Sequence, residues 1–200
     1  MPRPRSLTSE QIADAALAVV DDDGLPALSM RTVARRLDVG TMSLYRYVTD
    51  RAQLEQLVVG RVLSAMADGM PRGAPPRRLA ALAERVRAAA AGHPAVVPLL
   101  LVHRHRVPAS LAWGEAVLEV LTDAGLTGRR RVIAFRAVLA YVFGALEVAH
   151  FGPLAGEGTR AIARQQEYPL LARAATQAAQ VTPEEEFRRG FEIVVRGLGV

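Results

Sequence analysis

LSMRTVARRLDVGTMSLYRYVTDR, residues 28–51, sets two short runs of helical apolar spacing on either side of Asp38-Val39-Gly40. Ser29 is placed to cap the first run, whose inward positions are Val33, Ala34 and Leu37, with Arg31, Arg35 and Arg36 turned to solvent. Glycine at position 40 is expected to supply the unusual backbone angles of a sharp turn, and Thr41 a hydroxyl cap for the next helix. Leu44 and Val48, four apart, then face inward together, leaving Thr41, Met42, Ser43, Arg46 and Tyr47 on or beside the opposite face. The stretch reads as two short helices joined tightly, one face apolar and the other polar and aromatic.

Working outward, Thr8 and Gln11 form a capping-box pattern ahead of Ile12, Ala15, Ala16, Val19 and Val20, and Gly24 ends that helix. Asp21, Asp22 and Asp23 oppose the helix dipole at its C-terminal end, so a frayed last turn or solvated carboxylates are expected. Downstream, Asp50 with Gln53 starts a helix carrying Leu54, Leu57, Val58, Val62 and Met66 to about Asp68. The Gly- and Pro-rich GMPRGAPPRR, residues 69–78, interrupts helical structure and marks a module boundary. This predicts three parts: 1–50, a connecting helix over 51–68, and 69–200.

The remainder shows helical spacing without strand alternation or a fixed repeat, so the fold class is all-α. Helices are expected near 79–91, 94–103, 108–124, 129–152, 160–177 and 183–197. The segment 129–152 is apolar nearly all round and must be covered on more than one side. Arg136, Glu147 and Gly144 within it favour a core helix over a membrane span. Thr182-Pro183-Glu184-Glu185 opens the last helix with a cap, a proline in the first turn and acids at the dipole's positive end. Its stripe Phe187, Phe191, Val194, Val195 and Leu198, with Val138 and Val142, is either core or a seam between two copies.

Composition narrows the function. Half of the 200 residues are hydrophobic, enough for a sizeable core, and all 25 basic residues are arginine, which suits GC-rich coding as well as any selected chemistry. With no cysteine, disulfides, thiolate zinc sites and cysteine nucleophiles are excluded. The first residues lack the apolar run of a secretory signal, so a cytoplasmic location and no membrane association are expected. No GxSxG, HExxH or phosphate-cradling glycine loop is present, so no catalytic residue, cofactor or metal is expected. Glu147 and His150, three apart on one helix, are the nearest approach to a catalytic pair, and read better as a buried polar pair or ligand anchor.

A helix-turn-helix lays its second helix in the major groove, with N-terminal residues on base edges and the preceding helix across the backbone. Thr41, Met42 and Ser43 sit at the start of that helix with hydroxyls and an apolar group for bases, while Arg46 suits phosphate or guanine. Tyr45, Tyr47, Arg31 and Arg51 offer hydroxyls or charge to phosphates. Residues 31–51 hold five arginines against two aspartates, but residues 8–68 hold nine acids against six arginines, so the pattern and not the charge carries this reading. Helical spacing alone also fits a structural hairpin, and a helical ligand-binding or enzymatic protein without a DNA role is the alternative.

Residues 28–58, LSMRTVARRLDVGTMSLYRYVTDRAQLEQLV, resemble the DNA-binding module of the tetracycline-repressor family of transcriptional regulators. The likeness lies in the LYRYV core, the threonine-containing polar start and the acid–arginine pair before a leucine-rich helix. It implies an N-terminal three-helix helix-turn-helix module followed by a helical bundle for effector binding and dimerisation. It places Arg31, Thr41, Met42, Ser43, Tyr45, Tyr47 and Arg51 at DNA-contacting positions. Met42 departs from the family's usual proline or glycine, and Tyr47 from its histidine, so the resemblance does not carry a base preference over to this chain. FRRGFEIVVRGL at the end, His93-Pro94 and the helix around Phe143-Gly144 are similar to the tetracycline-responsive branch, implying a homodimer paired through the last helix and the one near 129–152. The implied effector lining is Leu100, Val102, His103, Trp113, Tyr141, Leu146, Glu147, His150 and Phe151, suited to a hydrophobic or aromatic small molecule. Leu100 stands where that branch holds drug-bound magnesium through a histidine, which argues against tetracycline itself. The expected partners are a near-palindromic double-stranded operator, an effector and a second copy, most simply as a repressor.

Overall fold

The computed structural model describes residues 7–66 and 69–200, which leaves Arg3, Arg5 and Asp68 outside the described residues. Eleven α-helices and four 3-10 turns, with no strand, make up the secondary structure among the described residues. The chain divides into two compact units, one of residues up to Gly69 with Ala88–Glu115, the other of Met70–Arg87 with Ala116–Val200.

In the first unit, α1 (Ser9–Asp23) opens on a complete capping box: Gln11 N–H donates to Thr8 Oγ1 at 3.2 Å, and Thr8 N–H to Gln11 Oε1 at 3.0 Å. Gly24, at φ 81°, turns the chain out of the helix. Helices α2 (Met30–Arg36), α3 (Thr41–Leu44) and α4 (Arg51–Leu63) follow, capped by Ser29, Gly40 and Asp50. Ile12, Val20, Leu28, Val33, Leu44, Val48, Leu54 and Val58 form a shared core, each worth about 1.5–3 kcal/mol on full burial. Residues 88–115 add α6 (Val97–His103), which packs on α4.

Several local expectations are corrected. Gly40 has an ordinary φ of −67° and is itself the N-cap, without a side-chain bond, so Thr41 is the first helical residue and not the cap. The left-handed position is Asp38, at φ 53°, a conformation aspartate tolerates better than most residues. Of the two outcomes expected at the end of α1, solvated carboxylates are the one observed: the helix runs through Asp23 and all three aspartates are exposed, with Asp22 paired to Arg36 at 2.7 Å and Asp21 2.9 Å from His93 Nδ1. The fourth helix ends at Leu63 in a 3-10 turn, Ser64–Met66.

The second unit draws on α5 (Pro75–Ala91), α7 (Pro108–Asp123), α8 (Gly128–Phe151), α9 (Glu157–Ala163), α10 (Pro169–Ala178) and α11 (Pro183–Leu198). α5 begins inside the Pro-rich break, because proline lacks only an N–H that the first turn leaves unbonded anyway. One expected helix over 160–177 is two, since Pro169 disfavours helical backbone at Tyr168. Arg78 braces α5 to α7 through Asp123 at 2.5 Å and Glu119 at 3.6 Å. α8 has the length and hydropathy to cross a membrane, yet buries Ala134, Val138, Val142, Phe143 and Leu146 within the chain.

α11 packs on α8, burying Phe187, Phe191 and Val195. These three, with Val138 and Val142, are core of one chain, and Val194 and Leu198 are half-buried beside them. Tyr141 stacks obliquely on Phe187 and Phe191, ring centroids 5.6 Å away in each case, and its hydroxyl donates to the Phe187 carbonyl at 2.8 Å. Gly190 makes room for it, since a Cβ there would lie 2.2 Å from the Tyr141 hydroxyl.

Candidate nucleic-acid interface

α3 is a single turn, extended by hydrogen bonds from Tyr47 N–H to Leu44 O at 2.9 Å and from Val48 N–H to Leu44 O at 3.1 Å. Leu44 and Val48 anchor it, at 0 and 1% exposure. The opposite face is left to solvent: Met42 is 78% exposed, Tyr45 48% and Tyr47 40%. Ser43, Arg46 and Arg31 are exposed as well, and Thr41 is half-buried. Two tyrosines and a methionine are thus held in water on a very short element.

The platform beneath is rigid. Thr32 Oγ1 donates to the Ala27 carbonyl at 2.7 Å, and Ser29 and Thr32 cap each other, fixing where α2 begins. Thr49 N–H donates to Gln53 Oε1 at 2.7 Å and Gln53 N–H to Asp50 Oδ1 at 2.8 Å, closing the turn from α3 into α4. Arg51 is less free than its neighbours: Nε donates to Glu55 Oε1 at 2.9 Å and Nη2 to the Leu25 carbonyl at 3.3 Å. It therefore clips α4 to the turn after α1.

Glu55 is the residue missed by sequence reading. Its other carboxylate oxygen lies 2.9 Å from His103 Nε2, on a ring that is almost fully buried. Burial alone would push the Glu55 carboxyl up, but hydrogen bonds and charge from Arg51 and His103 outweigh this and hold it below its ordinary value. The Arg51–Glu55 half was visible as an i, i+4 pair; the His103 half joins positions 48 apart, for which the sequence carries no local signal.

The residues expected at the effector fall in both units. In the first, Leu100 and Trp113 are buried, His103 is bound to Glu55, and Val102 is exposed. In the second, Leu146 is buried, Tyr141 is committed to α11, and Phe151 is 71% exposed, edge-on to His150 at 4.7 Å. Glu147 and His150 are half-buried and share no hydrogen bond among the described residues. No group of three or more His, Asp or Glu is gathered to hold a metal among the described residues.

An all-helical chain presenting a short, solvent-facing helix on a capped N-terminal module is the architecture of a helix-turn-helix regulator. Residues 71–200 match the family described as tetracyclin repressor-like, C-terminal domain, and the chain belongs to that family. It is 37% identical over 153 residues to the HTH-type transcriptional repressor DrrR1 of Streptomyces coeruleorubidus, a match covering 72% of this chain and 54% of that one. It is 31% identical over 175 residues to an HTH-type transcriptional regulator of Saccharopolyspora erythraea, covering 83% and 74%. The chain thus spans about half the length of the first relative. The fold also matches ActR, a TetR family protein of Streptomyces coelicolor crystallised with (S)-DNPA, at a TM-score of 0.81, 24% identity and 96% coverage of both chains.

Proposed function

We propose that this protein is a ligand-responsive transcriptional regulator, acting as a repressor, whose α3 face reads a near-palindromic operator. The observation that carries the reading is the exposure of Met42, Tyr45 and Tyr47 around the buried anchors Leu44 and Val48. Thr41, Met42 and Ser43 meet base edges, while Arg31, Arg46, Tyr45 and Tyr47 meet phosphate or guanine. Arg51, held by Glu55 and Leu25, positions α4 and lends its charge to the backbone contact. The names of the curated relatives support a DNA role.

A two-fold dimer suits a two-fold operator. Its seam is the face of α8 that the chain leaves partly uncovered, Ile133, Ala140 and Val148 exposed with Ala137 and Gly144 half-buried between them, and Ile193 of α11 beside Gly197. The effector is a hydrophobic or aromatic small molecule, a reading supported by the small-molecule complex of ActR. It lowers operator affinity only by its differential affinity for the form with a displaced α4.

The test is a gel shift on DNA upstream of the protein's own gene. Tyr45→Ala should weaken binding by about 1–3 kcal/mol, roughly five- to 150-fold, with dimer mass unchanged. Arg31→Ala should lower the salt slope by roughly one counterion per subunit. Undiminished binding by both variants would overturn the assignment.

A further inference from the structure

A groove of about 620 Å³ runs along the first unit between α1, α4 and the 3-10 turn that enters α7. None of the residues assigned above to DNA or effector lines it. Its size falls within the roughly 300–1,000 Å³ range of small-molecule sites.

Gly60 is the first clue. It stands in the interior of α4, where glycine costs about 0.5–1 kcal/mol relative to alanine. No close packing demands it: a Cβ there would meet only Val107 Cγ1, at 4.0 Å, an ordinary contact. What the missing side chain does is keep the groove open over an apolar floor that includes Ala13, Leu57 and Val107.

The rim supplies the chemistry. Asp14 and Arg61 pair across from α1 to α4 and neutralise each other. That leaves one charge of each sign. The Glu10 carboxylate has no partner among the described residues, and Arg106 spends only its Nε, on His105 Nε2 at 3.1 Å, leaving its terminal amino groups available. Gln56 lines the groove with its whole amide, and Gln53, whose Oε1 is held by Thr49, with its amide N–H groups, both able to bond a peptide group.

We propose that this groove is a second small-molecule site, for a short zwitterionic peptide or a compound of the same pattern. Its ammonium meets Glu10, its carboxylate meets Arg106, its amide meets the glutamines, and its apolar body covers the floor. Exposed charges contribute more to discrimination than to affinity, so selectivity is the quantity to measure.

Calorimetric titration of the full chain uses three probes with one body: the dipeptide leucyl-phenylalanine, its C-terminal amide and its N-acetyl form. The dipeptide should bind about tenfold tighter than either singly charged analogue. Glu10→Gln should erase its advantage over the N-acetyl form, and Arg106→Gln its advantage over the amide. Gly60→Leu should abolish binding of all three; if that variant melts early by circular dichroism, the two rim variants decide. Equal affinity for the three probes, no binding at about 1 mM, or full selectivity in both rim variants would overturn the proposal. Both rim variants should still shift operator DNA. A wild type that selects the dipeptide but shifts no operator DNA would count against the DNA reading and not against the groove.

Discussion

Asp38 and Glu55 show how single positions hold the reading module. Asp38 takes φ 53° in the turn between α2 and α3, where a side chain is strained and glycine is not. Asp38→Gly should therefore raise stability by about 0.5–1 kcal/mol, seen as a higher urea midpoint, with operator affinity kept. Glu55 is held below its ordinary value in the folded chain, so its stabilisation is full above the unfolded carboxylate pKa and is lost as pH falls through the lower folded value. Glu55→Gln should lose about 1–2 kcal/mol near pH 7, and the gap from wild type should close on acidification below the usual carboxylate range; a pH-independent gap would refute the charge argument. The Thr8–Gln11, Ser29 and Asp50 caps were legible in sequence because a cap and its partner lie within one turn. Asp38 was not, because residue type favours glycine at such a turn while the backbone path decides which position bears it.

At the level of elements, α8 and α11 make the clearest case. Their apolar stripes were visible as helical spacing, yet periodicity states only that a face is to be covered, not by what. The structure covers Val138 and Val142 with Phe187, Phe191 and Tyr141 of the same chain. Burial and then the charge of Glu186 raise the Tyr141 phenol above its ordinary value, keeping its hydroxyl a donor to the α11 backbone. Gly190→Ala would drive a methyl into that hydroxyl and should destabilise by about 1–3 kcal/mol. Combining it with Tyr141→Leu should recover part of the loss in a double-mutant cycle, and strict additivity would show that the two positions do not conflict.

For the whole molecule, Ile193, 66% exposed on α11, is the position that tests the proposed dimer seam. Ile193→Asp should give monomers by light scattering with helical content unchanged, whereas Phe191→Asp should unfold the chain. An unchanged dimer mass for Ile193→Asp would move the seam elsewhere. Sequence by itself determined the all-helical class, the capped helix starts and the polar face of α3, since each depends on residues within one or two helical turns. Only the tertiary structure decided that His103 meets Glu55, that the Phe187 stripe turns inward, and that Gly60 leaves a groove beside α1. Those outcomes depend on which distant segments compete for the same apolar face or carboxylate, and a linear pattern carries no record of that competition. The α3 surface was legible for the opposite reason: among the described residues, none covers Met42, Tyr45 or Tyr47.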